Sequence, residues 1–226
     1  MCGRFIQVSN PDKIKVQISD LEVPNEVREG FRPRYNIAPT QNILTVLNTE
    51  VPQMVFTRWG LIPSWAKDPS IGQRMINARG ETLLEKSSFR KPFRRQRCII
   101  FSDGFYEWRS SGRSRTPFVI RMKDGEPFAM AGLWDRWADP EAGMTLTTST
   151  IITMSPNDLV ATIHNRMPVI LEKRDYGTWL SSREISDDVL MSCIRPYPSE
   201  GMEAYEVSRL VNNPAYDSRD CASPLW

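Results

Sequence analysis

RCIIFSDGFYEWRSSGRSRTPFVIRMKDGEPFAMAGLWD, residues 97–135, is the stretch from which the fold can be read. β-Branched and aromatic residues crowd into 97–109, 116–122 and 127–135, and the turns "SSGR" and "KDGE" separate the runs. Short apolar runs joined by glycine-containing turns predict antiparallel hairpins. Working outward, similar runs stand at 42–48 (NILTVLN), 53–60 (QMVFTRWG) and 144–153 (MTLTTSTIIT). Helix signals are short and peripheral. Residues 10–21 predict a helix with Asn10 as cap, Pro11 in the first turn, and Ile14, Ile18 and Leu21 on one face. "SPNDLVATI" (155–163) predicts another, capped by Ser155, and polar helical segments follow around 172–180 and 186–194. Residues 22–42 read as proline-rich loop, and the tail from about 211 reads as irregular. The sum is an α+β chain, one domain over 1–226, with a curled, mostly antiparallel, barrel-like sheet and flanking short helices.

The composition of the 226 residues, 40% apolar and 25% charged, suits a soluble globular chain with a real core. No apolar run has the length of a membrane span, and the polar N-terminus with Arg4 lacks the apolar centre of a signal peptide. A cytoplasmic protein is expected. Cys2, Cys98, Cys193 and Cys221 are scattered, so they read as thiols. With a single histidine, His164, no metal-ligand spacing exists, and no metal or other cofactor is expected. The net charge of +2 says little about partners. "FRKPFRRQR" (89–97) reads as a solvated basic face, or as a polyanion site if other basic and aromatic groups converge on it.

Individual residues leave two readings each. Cys2 is either a small buried apolar residue or, once Met1 is removed, a 1,2-aminothiol beside the unobstructed Gly3. An α-amine titrates near ~8 and a thiol near ~8.5, so both nucleophiles are expected to be partly available at neutral pH. Their distinctive partner is an aldehyde, which the amine takes as a Schiff base and the thiol closes to a thiazolidine. His164, after a predicted helix and before Arg166, is either a surface histidine or a proton donor. Glu107 in "SDGFYEWR" either points to solvent by alternation or is a desolvated acid/base. Asn77 and Arg79 in "MINARGET" read as turn residues, or as a neutral donor/acceptor and a phosphate fork. Most tryptophans read as core, whereas Trp65 in the proline-flanked "IPSWAKD" could stack on a base.

Seven segments, MCGRF, RYNIAPTQ, WGLIPSWAKD, INARGET, FSDGFYEW, AGLW and IHNRMP, occur in an order and spacing that resembles the SOS response-associated peptidase family, the abasic-site processing proteins. The resemblance runs from residue 2 to about 171, and more loosely to about 210. It implies a covalent thiazolidine between Cys2 and the sugar aldehyde of an abasic site in single-stranded DNA. It places the catalytic asparagine, glutamate and histidine on Asn77, Glu107 and His164. Arg4, Arg79, Thr153 and Arg166 match positions that contact the DNA backbone, and Pro39, Trp65 and Trp108 look like the groups that meet splayed bases. It implies no membrane partner, possible strand-cleaving lyase and self-processing peptidase activity, and a monomer is expected. Two other readings remain open: an N-terminal-cysteine glutamine amidotransferase-like hydrolase, and a non-catalytic module that binds single strands. A serine hydrolase is disfavoured, since no G-x-S-x-G turn is present.

Overall fold

Residues 97–135 supply four strands to two different sheets in the computed structural model, which describes residues 2–112, 114–139 and 143–225. Met1, and Arg113 of the first hairpin turn, lie outside the described residues. The chain runs β1 (Phe5–Gln7), α1 (Pro11–Lys15), α2 (Asn25–Gly30), β2 (Arg34–Ile37), β3 (Asn42–Leu47), β4 (Gln53–Trp59), β5 (Asn77–Arg79) and α3 (Ser87–Arg95). The hairpin region follows as β6 (Arg97–Ser102), β7 (Gly104–Ser111), β8 (Ser114–Met122), β9 (Phe128–Ala138) and β10 (Thr145–Met154). Then come α4 (Asp158–Ala161), β11 (Met167–Pro168), β12 (Ile170–Leu171), α5 (Tyr176–Trp179), α6 (Asp187–Ser192) and β13 (Met202–Glu206).

β10, β4, β3, β6 and β9 pair in that order, and β9 pairs again with β10, closing a five-stranded ring. Only the β10–β4 contact in this ring is parallel. Closure leaves none of these five strands as an open edge. β5 and β11 add to β10, and β12 adds to β9. The second sheet, β13–β8–β7–β1–β2, is antiparallel throughout. The expectation of one domain with a curled, mostly antiparallel, barrel-like core and short helices is met.

Most positions on β3, β6, β9 and β10 are buried, which explains their apolar runs, whereas β4 leaves Phe56 38% exposed. On β6, Ile99 and Phe101 join a cluster with Ile14, Phe93, Trp179 and Leu190, contributed by the short helices. Cys98 and Ile100 join the other cluster, with Phe5, Phe105 and Ile120 from the second sheet. The run expected at 97–109 is two strands, because the chain leaves the ring at Asp103. That carboxylate accepts from Val8 N (2.6 Å), Ser9 N (3.0 Å) and the Ser9 hydroxyl (2.5 Å), fixing the point where the chain changes sheets. Gly60, at the end of β4, has φ +124°, and a Cβ there would lie 2.5 Å from the Gly72 carbonyl oxygen. Only glycine fits at this close approach.

Three helix expectations shift. Asn10 caps α1 as expected, accepting from Lys13 N, but beyond Lys15 the bonds from Gln17 N and Ile18 N run only three residues back. Ile14, Ile18 and Leu21 are nevertheless buried, so the apolar spacing was real while the helix is short. Asn157, not Ser155, caps α4, through a bond from Val160 N (3.0 Å). The proline-rich 22–42 segment contains α2 and β2. The tail from 211 contains two turns of 3-10 helix, at Arg209–Asn212 and Arg219–Ala222, and buries Val211 and Cys221. Among the described residues, no helix is long and apolar enough to cross a membrane.

Candidate functional site

β1 lies between β7 and β2, with Phe5 opposite Phe105. The bond from Tyr106 N to the Arg4 carbonyl (3.0 Å) continues the ladder toward the N-terminus. Residue 2 is thereby drawn alongside β7 and into the apolar cluster that holds Phe5, Ile37, Trp59 and Phe105. Cys2 is fully buried. That burial, and next the negative charge of Glu107, push its thiol far above the usual range. The expected partial ionisation at neutral pH is therefore corrected: the resting side chain is a protonated thiol, since an apolar shell disfavours the thiolate.

Asn77 opens β5, which runs parallel to β10 with Asn77 opposite Ile151. Its Nδ2 donates to the Cys2 carbonyl (2.8 Å), fixing the backbone at residue 2. Its Oδ1 is buried and without a partner among the described residues. A buried acceptor left open costs stability, so it stands ready for an incoming N–H or O–H. Glu107 sits on β7 opposite Phe118 and is 2% exposed. Burial is the main cause that raises its carboxyl, against a smaller opposing pull from His164. The desolvated reading of Glu107 holds, and the solvent-facing one does not.

His164 follows α4, and its backbone N–H caps the helix end at the Val160 carbonyl (2.8 Å). Arg166 N donates to His164 Nδ1 (3.1 Å), which in the neutral ring leaves the proton on Nε2. Nε2 lies 3.8 Å from Glu107 Oε2, with the histidine side chain 26% exposed. Residue 2, Asn77, Glu107 and His164 thus come together from four separate segments.

Beside this cluster, Arg79 and Thr153 are register partners on β5 and β10, and Thr153 also faces Pro168 on β11. Arg79 is exposed, whereas Thr153 is fully buried. Arg166 donates to the Thr153 carbonyl (2.6 Å) and hydroxyl (3.3 Å), and both its terminal nitrogens reach Glu81 (2.5 and 2.9 Å). Arg4 is turned to the second sheet's far side, donating to Asn36 Oδ1 (2.8 Å) and the Val211 carbonyl (2.7 Å). Trp108 is half-buried, with its indole N–H on Asn212 Oδ1 (2.8 Å). Pro39, half-buried, ends the Asn36–Pro39 approach just before Thr40, whose φ of +71° is unusual for a non-glycine residue.

Trp65 is 60% exposed, although its loop is firmly fixed. Ser64 N donates to Asp135 Oδ2 (2.8 Å), and the Trp137 indole donates to the Ala66 carbonyl (2.7 Å). An exposed indole between two anchored neighbours is a stacking surface whose ordering cost has been met in folding. Glu81, Asn36 and Asp135 were missed by sequence reasoning. Glu81 and Asn36 do stand inside quoted motifs, but nothing local marks what they would hold. In the basic run 89–97, Arg90 and Lys91 are exposed. Arg94 pairs with Asp187, Arg95 pairs with Glu184, and Arg97 is buried.

The family model described as SOS response associated peptidase (SRAP) matches residues 1–214. The abasic site processing protein YoqW of Bacillus subtilis is 48% identical over 221 residues, covering 96% of this chain and 97% of that one. The abasic site processing protein HMCES of Gallus gallus is 33% identical over 235 residues, covering 89% of this chain and 69% of the relative. A crystal structure of a protein from Bacteroides thetaiotaomicron superposes with a TM-score of 0.89 at 27% identity, covering 100% of both chains.

Proposed function

The chain belongs to the SOS response-associated peptidase family, and from that premise we propose that it processes abasic sites in single-stranded DNA by covalent capture on Cys2. The observation that carries this reading is the convergence on residue 2. Asn77 holds its carbonyl at 2.8 Å, the Glu107 charge acts on its thiol, and His164 stands 3.8 Å from Glu107. A cysteine buried only for packing needs no carboxylate beside it, since burying one is costly.

The chemistry follows from these positions. With Met1 removed, the Cys2 amine adds to C1′ of the opened abasic sugar, giving a carbinolamine. His164, as an imidazolium with its Nδ1–H on the Arg166 carbonyl (3.3 Å), gives its Nε2 proton to the departing hydroxyl, and water leaves as the iminium forms. The Cys2 sulfur then attacks the same carbon while its proton passes by way of Glu107 back to His164 Nε2, closing the thiazolidine and restoring both groups. Aldehyde plus aminothiol yields ring plus one water, with no oxidant or metal. Glu107 suits the role because its raised carboxyl makes it a stronger base than an ordinary one. Asn77 Oδ1 offers its open acceptor to the amine or to a sugar hydroxyl. Exposed Arg79 and Trp65 supply phosphate and base contacts that tolerate any sequence. Strand cleavage belongs to the same scheme, since an iminium that is not closed by the thiol permits β-elimination. Peptidase activity in this reading is confined to releasing Met1.

The test uses protein whose mass shows loss of Met1, incubated with a single-stranded oligonucleotide carrying one abasic site and run on a denaturing gel. A heat-stable one-to-one adduct is expected, absent with Cys2→Ala, with Met1 retained, or with intact DNA. No adduct from correctly processed protein would overturn the covalent mechanism.

A further inference from the structure

We infer that Glu81 is a resident stand-in for a DNA backbone phosphate, occupying the Arg166 fork until a strand displaces it; the inference rests on the DNA reading above. Arg166 presents its two terminal nitrogens side by side, and the Glu81 carboxylate takes both, at 2.5 and 2.9 Å. This two-pronged geometry is the one a guanidinium offers to a phosphate. The Arg166 side chain is 17% exposed and that of Glu81 is 50% exposed. The arginine is therefore built in, held from behind by the Thr153 carbonyl and hydroxyl, while its partner stands on the open side. Arg166 Nε is buried and without a partner among the described residues, so the two nitrogens that Glu81 covers are the outward-facing part of the fork.

Glu81 also lies two positions beyond the exposed Arg79, and the charges of both Arg166 and Arg79 act on it to keep it ionised. The hydrogen bonds of the carboxylate go to Arg166, so this is the fork that it covers. A half-exposed ion pair contributes little net stability, because water competes for both partners. It can be exchanged for a phosphodiester at small cost. The exchange keeps Arg166 in its bound conformation in the free protein, and it lowers the resting affinity for undamaged strands, which offer phosphates but no aldehyde.

The experiment measures anisotropy of a fluorescent, intact, single-stranded oligonucleotide with wild type, Glu81→Gln, Arg166→Ala and the double variant, across a salt series. Glu81→Gln is expected to bind several-fold tighter than wild type. Its plot of log affinity against log salt should be steeper by ~0.7, the release expected for one further phosphate contact. In the Arg166→Ala background the same substitution should change nothing. Unchanged or weaker binding by Glu81→Gln would overturn the inference. So would a gain that persists without Arg166, since that marks general charge repulsion. Failure of the DNA reading looks different: wild type and all variants would bind no strand, and no abasic adduct would form.

Discussion

Glu107 is held neutral-leaning by the fold and used as a base by the proposed chemistry, and these two demands can be separated by pH. Burial raises its carboxyl, so the folded protein holds that proton more tightly than the unfolded chain does. From the ordinary carboxylate range, near ~4.3, upward to the raised value, the stability due to the neutral group is lost as pH rises. Glu107→Gln removes the titration. Its melting temperature relative to wild type should rise between pH 4 and pH 8, while adduct formation falls on the order of 10²-fold. Calorimetry showing a constant difference across that range would refute the burial effect. Phe105 and Tyr106 on β7 face opposite sides: Phe105 joins the Cys2 cluster, and Tyr106 joins the cluster with Val211 and Cys221. What alternation could not show is that both faces are covered. Glu107 shares the face of Phe105, and its neighbours Cys2 and His164 come from distant parts of the chain, so nothing local separates it from a solvent-facing residue. Asn77 was hidden differently, because its role depends on a bond to the chain's second residue.

At the scale of elements, the basic run is the instructive case. α3 carries Arg90, Lys91, Arg94 and Arg95, but Arg97 just beyond it turns inward and is fully buried. Its guanidinium donates to the carbonyls of Phe93 (3.1 Å), Arg94 (2.5 Å), Trp179 (2.9 Å) and Ser181 (2.6 Å). It closes the C-terminal end of α3 and fastens it to the segment after α5. Burial lowers its pKa to about 10, and no carboxylate pairs with it among the described residues. Arg97→Met should cost ~2–4 kcal/mol, because several buried carbonyls lose their donor at once. Lysine should rescue little, having no planar fork. A denaturation midpoint equal to wild type would contradict this. Composition marks 89–97 as basic but cannot tell a charge that faces water from one that closes a helix. The hairpin strands β7 and β8 were legible because their apolar runs and turn are local. β1 and β5, with three residues each, were not, since each exists only as a partner for a strand far along the chain.

For the whole molecule, the parallel contacts of β10 with β4 and β5 decide where the site forms, and no local pattern reports them. The tail is the other long-range device. Asp217 accepts from the backbone of Tyr35 (2.6 Å) and Asn36 (2.9 Å) and pairs with Arg34. Asn36 in turn donates to the carbonyls of Val211 (3.2 Å), Asn213 (3.0 Å) and Tyr216 (2.7 Å). The irregular tail is therefore a fastened strap across β2, β1 and β7. Asp217→Ala should lower stability by ~2–3 kcal/mol through the lost acceptors and slow adduct formation by loosening β1. Thermal melting and gel yields check the two effects, and a variant matching wild type in both would exclude the strap role.

The strap also sets an order of events during synthesis. Cys2 leaves the ribosome before any strand has formed, whereas the anchors at 211–217 emerge only after the strands of both sheets have been made. At ~5–20 residues per second, that interval lasts on the order of 10–40 s. Throughout it, the segment around Cys2 is still uncovered, because its burial awaits β7 and the fastening of the strap. The nascent chain thus has a built-in interval in which residue 2 lies open to chemistry, and the arrival of the 211–217 strap shuts it.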